Sequence, residues 1–267
     1  MDSNVVIDPE SPPLLRIRCS EIWGGPENAD LDVCTSGVIA SVFSLSCDGL
    51  TGGDLYYFAV CDSDLLTRVV LADVKGHGHQ VSILSEWLFN ALRESMGSLD
   101  GSSILTELNR VLCEKGLDAI TTATVVSFRV GDSNLYVANA GHPPVLLRRK
   151  EQERWERIEL QDMRDFADLP LGMFRNTVYQ QVSLPLRPGD RLALYTDGLT
   201  EATDSREQEF GEDCLRASLR KHGNKDLAGL KNQLVSDLRQ HVGGPFAHDD
   251  VTLLLLEILG NSRPQCQ

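Results

Sequence analysis

Residues 52–78 have the sequence GGDLYYFAVCDSDLLTRVVLADVKGHG, and this stretch decides the fold class. Apolar, aromatic and β-branched residues fill Leu55–Cys61 and Leu65–Val74, which predicts two strands. The turn-prone residues Asp62–Asp64 separate them. Both strands end next to acidic residues and glycines, where side chains reach solvent instead of the core.

The rest of the chain predicts pairs of helices laid on a mainly antiparallel β body. One pair follows the two strands, and Ser102 or Ser103 is the predicted N-cap of its second helix. The middle of the chain is rich in strand patterns. A second helix pair, roughly Glu212–Lys221 and Lys225–His241, precedes a final strand at Asp250–Glu257. This order differs from the alternating pattern of a parallel sheet, so the predicted fold class is α+β.

Length and composition predict one globular domain. The 267 residues lie near the upper size limit of a single core, and 42% are hydrophobic and 24% charged. We expect a domain at 16–260 between an N-terminal tail, 1–15, and a C-terminal tail, 261–267. The formal charge of −14 disfavours nucleic acid and anionic membranes as partners. It is compatible with a phosphate substrate, because bound divalent cations reverse the local charge of a carboxylate-lined site.

The cysteines and the apolar segments predict a soluble, cytoplasmic protein. The seven cysteines are scattered and contain no Cys-x-x-Cys pair, which favours reduced thiols over disulfides or a zinc site. The first residues lack the pattern of a secretory signal. No apolar run in the sequence approaches the roughly 18 residues of a membrane span.

Four acidic clusters stand at predicted strand ends or glycine turns: Gly52–Asp54, Asp73–Gly78, Thr196–Gly198 and His248–Asp250. Glycine lets the backbone fold tightly, so that main-chain carbonyls can approach a metal. Hard divalent cations prefer oxygen ligands. Each cluster alone is typical of an ordinary turn. Only their joint occurrence, in this order, favours a metal site.

This joint pattern resembles the type 2C (PPM) metal-dependent serine/threonine phosphatases, in their bacterial SpoIIE-like branch. The resemblance runs from about Gly52 to Glu257 and is carried by GGDLYYF, LADVKGHG, NAGHPPVLLRR, LPLG, LRPGDRLALYTDGLTEA, FG and DDVTLLLLEI. It implies a four-layer α-β-β-α sandwich, in which two central, mainly antiparallel sheets are flanked by helix pairs. It also implies hydrolysis of phosphoserine or phosphothreonine on a signalling protein, such as an anti-sigma-factor antagonist, and a regulatory protein partner.

The resemblance implies two Mn²⁺ or Mg²⁺ ions in a cleft at one end of the sheets. Asp54 would bridge both ions. Asp73 and the backbone carbonyl of Val74 would hold the first ion. Asp197 and Asp249 would complete the second. Two such ions lower the pKa of a bridging water and stabilise the phosphoryl oxygens, so Asp54 and Asp73 are predicted to be catalytic as well as metal-binding.

Two histidines and one further aspartate have less specific signals. His77 would either protonate the departing serine oxygen as a general acid or stabilise a turn. His142 stands where the eukaryotic branch carries an aspartate for a third metal, which argues against that metal here. Asn139 is expected to shape a loop beside the cleft, and Asp250 to hydrogen-bond or extend the ligand shell.

Two other functions stay open at this stage. The chain could be a catalytically silent phosphatase-fold module that binds a partner. It could also be a hydrolase of small phosphoesters. Four converging carboxylates repel one another without a cation, which disfavours the silent module. The absence of a phosphate-binding P-loop or dinucleotide motif disfavours the small-molecule hydrolase only weakly.

Overall fold

The secondary structure comes from a computed structural model that describes residues 14–47, 51–75, 79–94, 100–115, 120–160, 169–246 and 249–260. Within these ranges the chain forms two β-sheets and five helices. The first sheet has seven strands in the spatial order β1 (Leu14–Arg16), β3 (Ala29–Cys34), β4 (Val38–Leu45), β13 (Val251–Ile258), β12 (Arg191–Tyr195), β9 (Leu146–Arg148) and β10 (Glu156–Arg157). The second has six, in the order β11 (Gln181–Pro185), β8 (Asn134–Ala140), β7 (Thr121–Arg129), β6 (Leu66–Val74), β5 (Thr51–Cys61) and β2 (Ile22–Glu27).

The helices lie in two groups on the outer faces of the sheets. They are α1 (His79–Glu94), α2 (Gly101–Lys115), the short α3 (Asp197–Thr200), α4 (Gly211–His222) and α5 (Leu227–Val242). The first two pack on the second sheet, and α4 and α5 pack on the first. In the described ranges no helix is both long and apolar enough to span a bilayer.

Three apolar cores separate the four layers. Successive side chains of a strand point to opposite faces, so strands with two buried faces carry apolar residues at nearly every position. On β5, Phe58 enters the core between the sheets, whereas Leu55 enters the core under α1 and α2. On β13, Leu254 and Leu255 divide in the same way between the inter-sheet core and the core under α4 and α5. The predicted α+β sandwich of two sheets flanked by helix pairs is confirmed.

The strand pairing is mainly antiparallel, as predicted. Of the strand pairs in the described ranges, only β1 with β3 is parallel, with Leu15 opposite Val33. This pair also corrects the predicted tail, because the first strand begins at Leu14 rather than after residue 15. Leu15 packs against the inter-sheet core, and this burial holds the segment on the sheet. Residues 1–13 and 261–267 lie outside the described ranges.

The N-cap of α2 is Asp100, so the prediction of Ser102 or Ser103 was wrong. Asp100 Oδ1 accepts hydrogen bonds from the Ser102 backbone N–H at 3.0 Å and from the Ser102 hydroxyl at 2.7 Å. Asp100 Oδ2 accepts one from the Ser103 hydroxyl at 2.7 Å. An ionised carboxylate has acceptor sites for all three donors, whereas a serine hydroxyl has fewer.

Candidate active site

Two neighbouring strands of the second sheet place Asp54 and Asp73 side by side. Their Cα atoms are register partners in the antiparallel pair β5–β6, so both side chains lie on the same face of the sheet. That face is the one between the two sheets, because Tyr56 and Leu71, two residues away on the same strands, belong to the inter-sheet core. The two carboxylates therefore lie at one end of the sandwich interior.

The first sheet brings Asp197 and Asp249 to the same end. Asp197 begins α3 just after β12, and Asp249 lies just before β13. These strands pair antiparallel, so the end of one meets the start of the other. The turn is tight: a Cβ atom on Gly198 would lie 2.0 Å from the backbone oxygen of Asp250, so this position requires glycine.

The pKa values show that the four aspartates act on one another. Burial, followed by the charges of Asp197 and Asp249, raises the pKa of Asp73 to about 7. Burial and then the charge of Asp73 hold the pKa of Asp54 well above its usual range. Burial and the Asp197 charge also raise the pKa of Asp249. The fold thus gathers these carboxylates into one cleft, where they repel one another.

No salt bridge among the described residues offsets this repulsion. Within the described part of the chain, none of the salt bridges involves the cleft aspartates Asp54, Asp73, Asp197, Asp249 or Asp250. The side chains do not form a closed ligand cage either. Among the residues that the structure describes, no three His, Cys, Asp or Glu side chains converge closely enough to hold an ion as they stand. The oxygen-only donor set with excess negative charge nevertheless fits a hard divalent cation.

The Val74 carbonyl lies beside the strand that carries Asp54. A Cβ atom on Gly53 would lie only 2.5 Å from this carbonyl oxygen, so a side chain there would displace it. Val74 is also the last residue of β6, one position after Asp73. The structure therefore brings together Asp54, Asp73 and the Val74 carbonyl. His77 lies outside the described ranges.

Asp250 fixes the backbone around Asp54. Its carboxylate accepts backbone N–H groups from Cys47 at 2.8 Å, Gly53 at 2.5 Å and Asp54 at 3.4 Å. Its own N–H donates to Asp249 Oδ1 at 2.9 Å. The prediction that Asp250 forms hydrogen bonds is confirmed, and its partners are main-chain groups on the opposite sheet and on the loop after β4.

His142 is a buried, neutral side chain at the edge of the cleft. Burial lowers the pKa of His142 to about 3, and its Nδ1 lies 2.8 Å from Thr122 Oγ1. The Asn139 side chain accepts the His142 N–H and donates to the His142 carbonyl, both at 2.9 Å. These bonds confirm that Asn139 shapes the loop.

The sequence analysis assigned no role to three residues of the cleft. Thr196 donates its hydroxyl to Asp54 Oδ2 at 2.8 Å, and Thr252 lies beside it on the neighbouring strand. Glu201 extends the acidic cluster. It lies close enough to Asp197 for that charge, together with burial, to raise the pKa of Glu201. Glu201 follows Asp197 by four residues in the sequence DGLTE, and side chains at this spacing are neighbours on a helix. The sequence could therefore have indicated Glu201. Threonine in a strand is common, so the two threonines had no comparable signal.

The cleft opens beside a small cavity of about 120 Å³, which Asp249 and Glu201 help to line. Two larger cavities, about 480 and 410 Å³, lie along β10, and none of the cleft aspartates lines either of them. The cavity next to Asp249 is smaller than the pockets of roughly 300–1,000 Å³ that small ligands usually occupy.

Two curated relatives align with most of this chain. It is 26% identical over 214 residues to the phosphoserine phosphatase RsbP and 26% identical over 239 residues to the phosphoserine phosphatase RsbU, both of Bacillus subtilis. These alignments cover 77% and 86% of this chain, but only 49% and 64% of the relatives. The chain thus spans about half to two thirds of the length of these relatives.

Solved structures show the same fold. The SiaA-PP2C domain of Pseudomonas aeruginosa matches with a TM-score of 0.70 at 22% identity, over 82% of this chain and 85% of that one. RsbX in complex with magnesium matches with a TM-score of 0.62 at 16% identity, over 86% of this chain and all of that one. At these identities the match establishes the PP2C-type fold alone.

A family model covers most of the domain. The model of stage II sporulation protein E (SpoIIE) matches residues 63–259, so Asp73, Asp197 and Asp249 lie inside the matched range and Asp54 lies before it. The match extends over well more than half of the 267 residues. The chain therefore belongs to the SpoIIE family.

Proposed function

We propose that this chain hydrolyses phosphoserine or phosphothreonine on a protein, using two Mn²⁺ or Mg²⁺ ions held in the acidic cleft. One observation carries the proposal: the fold gathers several carboxylates at one end of the sandwich. Burial and the charges of neighbouring carboxylates raise the pKa values of Asp54, Asp73 and Asp249, and no salt bridge in the described ranges involves them. The names of the two relatives, both phosphoserine phosphatases, support the reaction class.

The residues divide between two ion positions in this proposal. Asp54 would bind both ions. Asp73 and the Val74 carbonyl would hold the first, and Asp197 and Asp249 would hold the second. The magnesium in the RsbX structure supports a divalent cation. These groups offer only oxygen atoms, as Mg²⁺ and Mn²⁺ prefer.

The chain itself contributes position, exclusion of water and proton transfer. When bound, two divalent ions supply a nucleophilic water of lowered pKa and stabilise charge on the phosphoryl oxygens. The interior position of Asp54, 3% exposed, keeps bulk water from its carboxylate. Asp250 holds the main chain of Gly53 and Asp54 in place. His77 is the proposed general acid, which would give a proton to the departing serine oxygen.

We infer that the substrate is a phosphorylated protein rather than a nucleotide. The cavity next to Asp249 has about 120 Å³, which is below the roughly 300–1,000 Å³ of typical small-ligand pockets. A phosphorylated side chain needs little enclosed volume, because the surface around it supplies the remaining recognition. As part of this proposal the protein acts in the cytoplasm, on a signalling phosphoprotein, under the control of a regulatory partner.

The test is hydrolysis of a phosphoserine peptide beside a panel of nucleotides. We expect phosphate release from the peptide with Mn²⁺ or Mg²⁺, little release from nucleotides, and no activity after treatment with a chelator. The Asp197→Asn variant serves as the control for contaminating phosphatases. Full activity with chelator would exclude the metal, and faster hydrolysis of a nucleotide would favour the small-molecule hydrolase. No hydrolysis of any substrate, with metal bound, would favour the silent partner-binding module.

A further inference from the structure

We propose that Thr196 and Thr252 are positioning residues that orient the Asp54 carboxylate for cation binding. This inference rests on the proposed function, because it concerns the same cleft. The two threonines belong to the first sheet, whereas Asp54 belongs to the second. They would therefore connect the two halves of the site through hydroxyl groups rather than through the cation alone.

The geometry around Thr196 is closely defined. Thr196 follows β12 and lies opposite Thr252 of β13: the Thr196 N–H donates to the Thr252 carbonyl at 3.1 Å. The Thr252 N–H in turn donates to Thr196 Oγ1 at 3.0 Å. Thr196 Oγ1 lies 2.8 Å from Asp54 Oδ2. Both threonines are fully buried, so no bulk water competes for these contacts.

These contacts fix the direction of the hydroxyl proton. A threonine hydroxyl has one proton to donate and two lone pairs to accept with. On Thr196 the Thr252 N–H occupies a lone pair, and Asp54 is the acceptor that faces the oxygen. The proton therefore points at Asp54 Oδ2. A donor fixed on Oδ2 holds the carboxylate in one orientation, as hydrogen-bond partners of metal ligands usually do.

Thr252 adds a second hydroxyl to the same network. Its Oγ1 lies 2.9 Å from the Ser44 hydroxyl on β4. Thr252 and Thr196 are both hydrogen-bond partners of the Asp54 side chain. Three neighbouring strands of the first sheet thus supply hydroxyls to one end of the sandwich, and two of these hydroxyls reach Asp54.

The hydroxyl groups of the first sheet act against the repulsion between Asp54 and Asp73 on the second sheet. On its own sheet Asp54 faces the like charge of Asp73, which favours rotation of one carboxylate away from the other. The hydroxyls from the opposite sheet hold the Asp54 carboxylate in one orientation. Thr196 also immediately precedes Asp197. One short segment therefore carries a proposed metal ligand, Asp197, and the hydroxyl that orients a second proposed ligand, Asp54.

The test replaces each threonine with valine, which keeps the branched shape and removes the hydroxyl. Mn²⁺ affinity is measured by calorimetry on the intact chain without substrate. We expect Thr196→Val and Thr252→Val to bind Mn²⁺ about 10-fold or more weakly, as is typical when a group that orients a metal ligand is lost. Thr196→Ser and Thr252→Ser restore the hydroxyl and should restore the affinity.

A matched control comes from Thr124 on β7. It is equally buried, but its hydroxyl donates to the Ala138 carbonyl at 3.2 Å and touches no aspartate. Thr124→Val should bind Mn²⁺ like the wild type. In peptide hydrolysis, the Mn²⁺ concentration for half-maximal rate should rise for the Thr196 and Thr252 valine variants, and the KM for the peptide should stay unchanged.

The outcomes separate the inference from the proposed function. Wild-type Mn²⁺ affinity in both folded valine variants would overturn the inference alone, as would an equal loss in Thr124→Val. If circular dichroism shows that Thr196→Val does not fold, the Thr252 valine and serine variants decide by the same criterion. A wild-type protein that binds no Mn²⁺ would overturn the proposed function and the inference together.

Discussion

Asp190 and Asp54 are both buried aspartates, at 1% and 3% exposure, but the fold treats them differently. Asp190 lies in the turn before β12, where Arg149 Nη1 approaches it at 2.9 Å. The backbone N–H groups of Lys150 and Arg187 donate to it at 2.9 and 3.0 Å. Asp54 has hydroxyl donors, but its charged neighbours are other carboxylates, led by Asp73.

This difference separates a carboxylate that stabilises the fold from carboxylates that fit a bound cation. An isolated buried charge costs several kcal/mol unless it is paired. At Asp190 the protein supplies the paired cation itself, so the group serves the structure. At the cleft the protein gathers several carboxylates, and no salt bridge in the described ranges pairs them with a cation. Burial there is tolerable when a cation arrives from solution, which is the central claim of the proposed function.

The largest expected effect follows from removing a cleft charge. Asp73→Asn should lower turnover of a phosphoserine peptide by at least about 10²-fold, because a ligand to the catalytic cation is lost and electrostatic stabilisation of the transition state with it. The free energy of unfolding without metal should be unchanged or higher, because the amide removes the repulsion. Steady-state kinetics and urea unfolding measure the two quantities. Near-wild-type turnover would remove Asp73 from the site.

Asp190→Ala should have the opposite pattern. Two backbone N–H groups and the Arg149 guanidinium lose their acceptor, which should lower the free energy of unfolding by about 2–3 kcal/mol. Turnover per folded molecule should stay at the wild-type value, because Asp190 is no part of the cleft. Urea unfolding and kinetics on the folded fraction test this. If Asp190→Ala were as stable as the wild type but had lost turnover, Asp190 would belong to the functional site and would not differ from the cleft aspartates.

His142 shows a third way to bury an ionisable group, which is to keep it neutral. Its pKa is about 3 in the folded protein and about 6.5 in an unfolded chain. As the pH falls below 6.5, the unfolded chain binds a proton that the folded chain does not, so the fold loses stability. Between pH 7.5 and 5.5 the wild type should lose about 1 kcal/mol more than His142→Gln in urea unfolding. An identical pH dependence in both proteins would contradict the burial of a neutral imidazole.

The smallest effect is expected at Cys61. This residue lies on β5 seven positions after Asp54, about 23 Å away at the usual rise of a strand. Cys61→Ser should leave turnover of the peptide unchanged, because water rather than a thiol attacks the phosphorus in the proposed reaction. An inactive, folded Cys61→Ser variant would revive a cysteine nucleophile.

The sequence predicted the layers well because strands and helices have different apolar patterns. The continuous apolar run of Leu55–Cys61 and the helical spacing of Leu230 and Leu234 both follow from burial of apolar surface. The strand β1 was missed, because Leu14 and Leu15 are too short a run to be recognised without their partner strand. The Asp100 cap was missed in favour of the serines, since all three residues are common N-caps.

The site was predictable only where a residue type carries the chemistry by itself. The aspartates beside glycine turns had that signal, and the fold brings them into one cleft. Thr196 and the hydrogen bonds of Asp250 depend on contacts between two sheets, across 142 and 197 residues of sequence. No local pattern reports such contacts. They appear only when the strands are placed against one another.

The most direct test of the central claim is a crystal structure of the protein soaked in Mn²⁺, with the ions located by anomalous scattering. We expect two peaks per chain between Asp54, Asp73, Asp197 and Asp249, with the Val74 carbonyl on one of them, and no peak at Asp190. Bound Mn²⁺ elsewhere on the chain with none in this cleft would contradict the account.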